Sequence, residues 1–197
     1  MPRTVDPAKH HARRMAIIDA ALTCFAAEGF DRATTASICR TAGIGSGTFF
    51  HYFPTKQSVL LAILDHGTAE TADWFAAQRE RTDPAAVIAD YVLHTADEFS
   101  DPRVPGFVKA VGSVLADPDI VSALAHDETV VHDGLLPWVL AAQRTGDIRT
   151  DLSADRLCIW IMVVLDGFVD RIAARLPFDA AAERDQLIDT VRRLLAP

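Results

Sequence analysis

The sequence has few cysteines and no long apolar run. Three cysteines, Cys24, Cys39 and Cys158, stand far apart among 197 residues, which excludes a disulfide framework and a zinc site of paired thiolates. The longest apolar run, residues 157–165, has nine members, whereas a membrane-spanning helix needs about 20. The first six residues contain no apolar stretch of the kind found in secretory signals. We therefore expect a cytoplasmic protein without a membrane span.

A basic excess is also missing, because 19 lysines and arginines stand against 27 aspartates and glutamates, for a net charge of −8. The charge is unevenly distributed: residues 1–60 carry +3 and the remaining 137 residues carry −11. A basic segment on an acidic protein is typical of a nucleic-acid-binding part attached to an acidic body. Chance variation in composition explains the same count, so the charge alone does not decide.

Apolar residues recur at helical spacing, and no segment alternates with the period of a strand. A first helix places Ile18, Ala21, Leu22 and Phe25 on one face and ends at Gly29, which suits a C-terminal cap. His10 and His11 precede this pattern, and we expect them in a polar N-terminal arm, either inert or beside a DNA phosphate.

Further helix starts follow from capping residues. Thr34 or Thr35 can cap a second helix that ends near Gly43, a third short piece spans residues 45–52, and Thr55 can cap a long fourth helix. Later starts and ends are marked by Asp-Pro pairs at 83–84, 101–102 and 117–118, by Ser153 and Asp179, and by Gly146 and the Leu176-Pro177 step. The sequence therefore predicts an all-α chain of about nine helices, three of them short and N-terminal.

The two short helices around residues 41–45 match a helix-turn-helix, whose second helix enters the major groove of DNA. Gly43 supplies the turn residue, and the segment that follows mixes small polar and aromatic side chains. We expect Thr48, His51 and Tyr52 to face DNA, while two other aromatic residues, Phe49 and Phe53, anchor the helix inward. Thr35 and Lys56 are candidates for phosphate contact, as is Tyr52.

The first third of the chain resembles the TetR (tetracycline-repressor-like) family of bacterial transcription regulators over about residues 13–62. The match consists of Ile18, Ala21, Phe25, the run Glu28-Gly29-Phe30, Thr34-Thr35, Ile38, Ala42-Gly43-Ile44, Gly47-Thr48, Tyr52-Phe53 and Lys56. The resemblance implies a three-helix DNA-binding domain over residues 1–58 and a larger helical effector-binding and dimerisation domain over residues 59–197. It also implies a homodimer on a near-palindromic operator of double-stranded DNA.

The segment departs from the family pattern at Gly45, Ser46 and Phe50, where serine, lysine and tyrosine are frequent, so the operator sequence stays open. Arg13, with two other arginines, can compensate electrostatically. The residues assigned to DNA contact are Thr35, Gly45, Ser46, Thr48, Phe50, His51, Tyr52, Lys56, Arg14 and Arg32. Two other motifs do not match this segment. It lacks the third glycine of a dinucleotide-binding loop and the Gly-x-Ser-x-Gly spacing of a hydrolase nucleophile elbow. A structural helical hairpin remains an alternative.

Residues 157–165 are apolar on every side of the helix that begins near Ser153, so more than one face must be covered. A core or pocket on one side and a second subunit on the other would do this. The last helix adds a wide apolar stripe, which suits a four-helix dimer interface or an ordinary intrachain contact. The predicted dimer residues are Ile161, Leu165, Leu187, Val191 and Leu194.

An effector pocket should be lined by apolar and aromatic groups with a few polar ones. The candidates are Trp74, His94, Glu98, Phe99, Phe107, Val111, Trp138, Trp160 and Met162, although each aromatic residue also suits an ordinary core. His94 and Glu98 lie four residues apart at the edge of an apolar helix face, either to orient a ligand or as a plain ion pair. Glu128 and His132 repeat this spacing. The two pairs together could form a metal site, but nothing in the sequence shows that they converge, so we expect no metal and no cofactor.

These observations predict a cytoplasmic, ligand-responsive transcriptional regulator, a repressor released by a small, largely apolar effector and without enzymatic activity. One alternative is a constitutive DNA-binding dimer with no effector. A remote one is a helical enzyme that uses His94, Glu98 or His132 as acid–base groups, which would need a nucleophile, metal or cofactor motif that we do not find. The effector, the operator and the regulated genes are not fixed by the sequence.

Overall fold

The computed structural model describes residues 6–174 and 178–197, and over these ranges the chain is all-α, as predicted. Nine helices are present there, without a strand. They are α1 (Pro7–Glu28), α2 (Thr35–Thr41), α3 (Ser46–Tyr52), α4 (Lys56–Ala77), α5 (Pro84–Glu98), α6 (Val104–Gly112), α7 (Pro118–Thr145), α8 (Ala154–Ala173) and α9 (Ala180–Leu195). None of these helices combines the length and apolar character needed to cross a membrane.

Most predicted helix starts are confirmed by a cap. Ser153 and Asp179 accept hydrogen bonds from the first backbone N–H groups of α8 and α9, and Asp117 accepts one from the backbone N–H of Asp119 at the start of α7. The Asp101-Pro102 start is wrong, because Asp101 instead binds the backbone and guanidinium of Arg103 and α6 begins two residues later. The predicted end at Leu176-Pro177 lies outside the described residues.

Helix α1 begins earlier than the sequence predicted. Asp6 accepts hydrogen bonds from the backbone N–H groups of Ala8 and Lys9, and Pro7 occupies the first helical position of α1. His10 and His11 are therefore helical and do not belong to an irregular arm.

The chain divides into two compact units. The first unit contains the described residues up to His66 together with Gly106–Ala123, and the second contains Gly67–Pro105 and the described residues from Leu124 onward. The division falls within α4, α6 and α7. The predicted boundary after residue 58 stays a prediction, because the division by compactness does not test where DNA binding ends.

The first unit has its own apolar core. Its fully buried side chains include Ile17, Ala21, Phe25, Ile38, Phe49, Val59 and Leu60, which come from α1 to α4. In the same unit, α6 approaches α1 so closely that a Cβ on Gly106 would overlap the backbone carbonyl of Ala26. Only glycine leaves room for this approach.

The second unit is built around α8. Leu157, Cys158 and Ile161 are fully buried, and α5, α7 and α9 contribute the surrounding apolar side chains. Where α4 meets α7, a Cβ on Gly134 would overlap the ring of Phe75, so glycine permits this contact as well. The second unit is thus a helical body with a continuous core.

Candidate DNA-binding surface and effector-binding region

The turn between α2 and α3 has helix-turn-helix geometry. Thr34 Oγ1 accepts a hydrogen bond from the backbone N–H of Ser37 at 3.0 Å, and Ser37 Oγ accepts one from the backbone N–H of Thr34 at 3.1 Å. This reciprocal pair caps α2. After α2 the chain turns at Gly43, whose φ of 63° favours glycine. The backbone N–H of Ile44 then donates to the Cys39 carbonyl at 3.0 Å, which closes the turn before α3.

Helix α3 has one buried and one exposed face. Phe49 and the residue after the helix, Phe53, are buried in the first unit, as predicted. The exposed residues on and before the helix are Gly45, Ser46, Gly47, Thr48, Phe50 and His51, while Tyr52 is half-buried. Gly45 provides no side-chain cap. The exposed face therefore carries most of the side chains that the sequence assigns to DNA contact.

A shallow cleft of about 560 Å³ lies along this exposed face. Its lining residues are Arg13, Gly43, Ile44, Gly45, Gly47, Thr48, His51 and Tyr52. One guanidinium group and several small polar groups thus line a concave surface, a combination that suits a polyanion better than an apolar ligand.

His10 lies beside this surface, which agrees with one of its two predicted roles, but its contact with α3 was not predicted. Its ring lies 4.5 Å from the ring of Tyr52, centroid to centroid, and 6.0 Å from the ring of His51. The first turns of α1 therefore pack against the end of α3. No local sequence pattern links residues so far apart, so only the fold reveals the contact.

Lys56 has a different environment from the one expected of a phosphate ligand. Its Nζ donates hydrogen bonds to the carbonyls of Phe30, Asp31 and Ala33 at 2.6, 3.4 and 3.0 Å, and it lies 4.2 Å from the centroid of the Phe30 ring. All three ammonium protons thus have acceptors within the chain. This geometry ties the α1–α2 loop to α4, and the phosphate contact stays a prediction.

Three other residues that the sequence assigns to DNA contact, Arg14, Arg32 and Thr35, have fewer internal partners. The guanidinium carbon of Arg14 lies 5.3 Å from the centroid of the Phe53 ring, and Arg32 Nε donates to the Glu28 carbonyl at 2.8 Å. Thr35 is the first residue of α2 and is half-buried. Their contacts with DNA remain predictions that the geometry permits.

In the second unit, an aromatic group brings together part of the predicted effector site. Trp74 stacks on His94 with ring centroids 5.5 Å apart and lies 5.4 Å from Tyr91. The predicted pair of His94 and Glu98 is present, with Nε2 and Oε1 3.5 Å apart. The two side chains are 36% and 50% exposed. Partial exposure is the environment expected of an ion pair at the edge of a helix.

Carboxylates accumulate near this aromatic group, and two of them, Glu98 and Asp166, have a raised pKa. Partial burial raises the pKa of Glu98, which His94 opposes and two other carboxylates, Glu70 and Asp127, reinforce. Partial burial also raises the pKa of Asp166, and neighbouring acidic residues add to the shift. The negative potential there favours a neutral or cationic group over an anion.

The remaining predicted effector residues do not join this group. Phe99 stacks on Phe168 with ring centroids 6.3 Å apart, and Met162 packs against the core of the second unit. Trp160 lies on the outer face of α8 and is 45% exposed. Phe107 and Val111 belong to the first unit, and their part in an effector site stays a prediction.

Two recesses in the second unit have apolar walls. The residues that line a cleft of about 590 Å³ between α4 and α7 are Ala72, Phe75, Ala76, Arg79, Val130, Asp133, Gly134, Pro137, Trp138 and Ala141. A cavity of about 260 Å³ between α5 and α9 includes Ala85, Ile88, Ala89, Val92 and Ile188 in its lining. The cavity was not predicted from the sequence, although two alanines on one face of α5, Ala85 and Ala89, indicate that large side chains are absent there.

The predicted dimer residues require a correction. Ile161, Leu165, Leu187 and Val191 are between 0% and 5% exposed, because the second unit packs them into its own core. They offer no surface to a second chain. Leu194 is half-buried and stays a candidate. The exposed apolar residues of α8 are instead Ile159, Trp160 and Val163, at 52%, 45% and 48%.

His132 is not paired with Glu128. Its Nδ1 lies 3.3 Å from Asp133 Oδ1, and its Nε2 lies 3.6 Å from Asp155 Oδ1. Over the described ranges, no group of three or more histidine, cysteine or acidic side chains is arranged to hold a metal ion.

Known proteins resemble this chain in sequence and in fold. Residues 17–63 match the family described as "Bacterial regulatory proteins, tetR family". The chain is 27% identical over 162 residues to the HTH-type transcriptional repressor AcnR of Corynebacterium diphtheriae, covering 82% of each protein. It is also 27% identical over 183 residues to the HTH-type transcriptional repressor Rv1474c of Mycobacterium tuberculosis, covering 92% of this chain and 94% of that repressor.

Solved structures share the fold. Salmonella enterica GusR superimposes with a TM-score of 0.75 at 19% identity and 93% coverage of both chains. The transcriptional regulator FadR from Bacillus subtilis, solved in complex with stearoyl-CoA, gives a TM-score of 0.72 at 17% identity and covers 90% of this chain and 96% of its own. The relatives in sequence are transcriptional repressors, which agrees with the prediction of a regulator without enzymatic activity. Residues 17–63, which contain the helix-turn-helix, are thus similar to the TetR family of bacterial regulatory proteins, and the rest of the chain shares the fold of solved transcriptional regulators.

Proposed function

We propose that this protein is a homodimeric repressor that binds a near-palindromic operator and is released by a small, largely apolar effector. The observation that carries the proposal is α3, a short helix that is anchored by buried Phe49 and, just after its end, by buried Phe53, and that has an exposed polar and aromatic face. Two relatives of the chain, which it matches over most of their length, are named as transcriptional repressors.

In this proposal, α3 of each subunit enters the major groove. Thr48, His51 and Tyr52 meet base edges and sugar-phosphate, and the N-terminus of α2 at Thr35 meets a phosphate. Two such helices reach successive major grooves when they stand about 34 Å apart.

The DNA-binding test starts from a pool of random double-stranded DNA, because the operator is unknown. The full-length protein selects its sites, and fluorescence anisotropy then measures affinity for the selected duplex. Thr48→Ala combined with Tyr52→Ala should weaken binding by about 100-fold or more, since each lost base contact costs ~1–3 kcal/mol and occurs twice per dimer. Thr129→Ala, at an exposed threonine of the second unit, is the matched control. Equal affinity of the double variant and the control would refute the assignment of α3.

The exposed apolar residues of α8 support dimerisation. Ile159, Trp160 and Val163 are spaced so that they share one helix side, and each leaves about half of its surface uncovered. We propose that a second copy of the chain covers them. Light scattering after gel filtration should give a dimer for the wild type and a monomer for Val163→Glu. Val121→Glu, at an equally exposed valine of the first unit, should leave the dimer intact. A monomeric wild type would contradict the proposal.

An effector site in the second unit is supported by its two apolar recesses. The cavity between α5 and α9, at about 260 Å³, exceeds the ~150 Å³ that accommodates benzene in an engineered core. A coupling of about 100-fold between effector and operator binding corresponds to ~2.7 kcal/mol, which is enough to release DNA.

Thermal-shift screening with neutral, cationic and anionic apolar compounds tests this step. Ala89→Phe should fill the α5–α9 cavity, and Ala141→Phe should obstruct the α4–α7 cleft. The variant that abolishes the shift identifies the occupied recess. A constitutive repressor is the second candidate, and it predicts that no compound stabilises the protein or releases DNA.

A further inference from the structure

We propose that Phe50 reads the 5-methyl group of a thymine in each operator half-site. This inference rests on the proposed entry of α3 into the major groove and names the chemistry that one exposed residue recognises there. Phe50 is the only phenylalanine of α3 whose ring points to solvent, with 53% of its surface exposed, whereas Phe49 is fully buried.

The surroundings of Phe50 leave its ring open. Side chains on a helix lean toward the N-terminus, so the ring lies over the preceding turn of α3. That turn contains Ser46 and Gly47, which are too small to cover it. The ring meets Phe49 edge to face, with centroids 5.4 Å apart and planes at 89°. This contact fixes the inner edge of the ring and leaves a face for a partner.

A phenyl ring can neither donate nor accept an ordinary hydrogen bond, so it cannot pair with the amino, carbonyl or N7 groups of the bases. Placed against guanine, cytosine or adenine, it would remove polar edges from water without compensation. The thymine methyl is the one apolar group that the major groove presents. The chemistry of Phe50 therefore fits thymine at the position it faces.

Replacing deoxythymidine by deoxyuridine removes this methyl and little else. Burial of one methyl-sized group contributes about 0.8 kcal/mol, or about fourfold in affinity. Replacement of the contacted thymine in both half-sites should therefore weaken wild-type binding by about 15-fold. Replacement at any other pair of positions should have a smaller effect. The replacements are scanned one symmetric pair at a time through the duplex selected by the full-length protein, with affinity measured by anisotropy.

Variants assign the methyl contact to a side chain. Phe50→Ala should weaken binding to the thymine site and abolish the difference between thymine and uracil, while Phe50→Leu should retain the difference. Thr48→Ser removes the only other methyl group that α3 exposes and should leave the difference unchanged. Circular dichroism checks that each variant is folded, which is expected because Phe50 and Thr48 are exposed.

The possible failures are distinguishable. If no thymine is sensitive to demethylation, or if Phe50→Ala retains the sensitivity, the inference is wrong while the repressor proposal stands. If Phe50→Ala weakens thymine and uracil sites equally, the ring packs on the sugar-phosphate backbone and does not read the base. If the wild-type protein selects no DNA at all, the proposed function fails and this inference fails with it.

Discussion

The clearest quantitative prediction concerns Lys56, because its ammonium group has two competing roles. In the structure it donates to three carbonyls of the α1–α2 loop and lies over the Phe30 ring. Lys56→Met keeps most of the aliphatic chain and removes only the charge and the donors. If the structural role dominates, the substitution should loosen the loop and α2 without removing a direct DNA contact.

The magnitude follows from the distances. The two shorter bonds, at 2.6 and 3.0 Å, are partly buried and should each contribute about 1 kcal/mol. The cation–π contact with Phe30 adds about 0.5–1 kcal/mol. The third bond, at 3.4 Å, adds little. The total is about 3 kcal/mol of local stability, or about 100-fold faster amide exchange.

Hydrogen exchange with mass spectrometry is the suitable assay, because all three tryptophans, Trp74, Trp138 and Trp160, lie in the second unit and fluorescence would not report on α2. Lys9→Met is the matched control, since the Lys9 side chain is 87% exposed. It should leave exchange in α2 unchanged.

The salt dependence of DNA binding separates the two roles of Lys56. A structural lysine leaves the slope of log affinity against log salt concentration unchanged. A phosphate contact in each subunit would reduce the slope by about 1.8. Wild-type exchange rates in Lys56→Met, together with a reduced slope, would refute the structural reasoning.

Three further predictions concern the second unit. Gly134→Ala should lower the free energy of unfolding by about 1–3 kcal/mol, because the added Cβ overlaps the Phe75 ring. Gly67→Ala is the control: its Cβ has no neighbour within 4 Å, so it should raise the free energy of unfolding by up to about 1 kcal/mol, and urea titration measures both changes. Asp166→Asn should raise the melting temperature at pH 7, because the raised pKa of Asp166 makes its ionised form costly in the folded state. This cost is complete above the raised pKa and vanishes below the ordinary pKa of about 3.9, so the gain in melting temperature should fade as the pH falls to 3.5. Burial raises the pKa of Cys158 to about 12, so at pH 8 roughly one thiol in ten thousand is ionised, and iodoacetamide should label it only after unfolding.

The sequence predicted what local chemistry controls. Thr34, Thr55 and Ser153 cap helices because each places a hydroxyl oxygen beside free backbone N–H groups, and this requires no knowledge of the tertiary structure. Gly43 was predictable for the same reason, since the left-handed turn is a property of a few consecutive residues. Asp101 failed because an aspartate followed by an arginine two residues later can form a turn that competes with a cap.

The sequence could not predict which face of a helix packs against the rest of its own chain. Residues 157–165 are apolar all round, so the pattern contains no information on which side remains open. Ile161 and Leu165 were assigned to the dimer, yet they are core residues, and the open side belongs to Ile159 and Trp160. The contact of His10 with Tyr52 was inaccessible for a related reason, because it joins residues that only the packing of α1 on α3 brings together.

The contacts of the cations change how the charge of the first sixty residues should be understood. Their +3 suggested electrostatic attraction to DNA, but a charge total does not distinguish a free cation from one already bound. Lys56 is held by carbonyls, and Arg14 lies over an aromatic ring. Both still add to the long-range field, yet at least one of them has no free donor for a phosphate. Arg13, which lines the cleft beside α3, is better placed for that contact. In the proposed complex, phosphate contacts of this kind position the protein on DNA and do not read its sequence, so discrimination among operators depends on the exposed side chains of α3, of which Phe50 is the largest uncharged one.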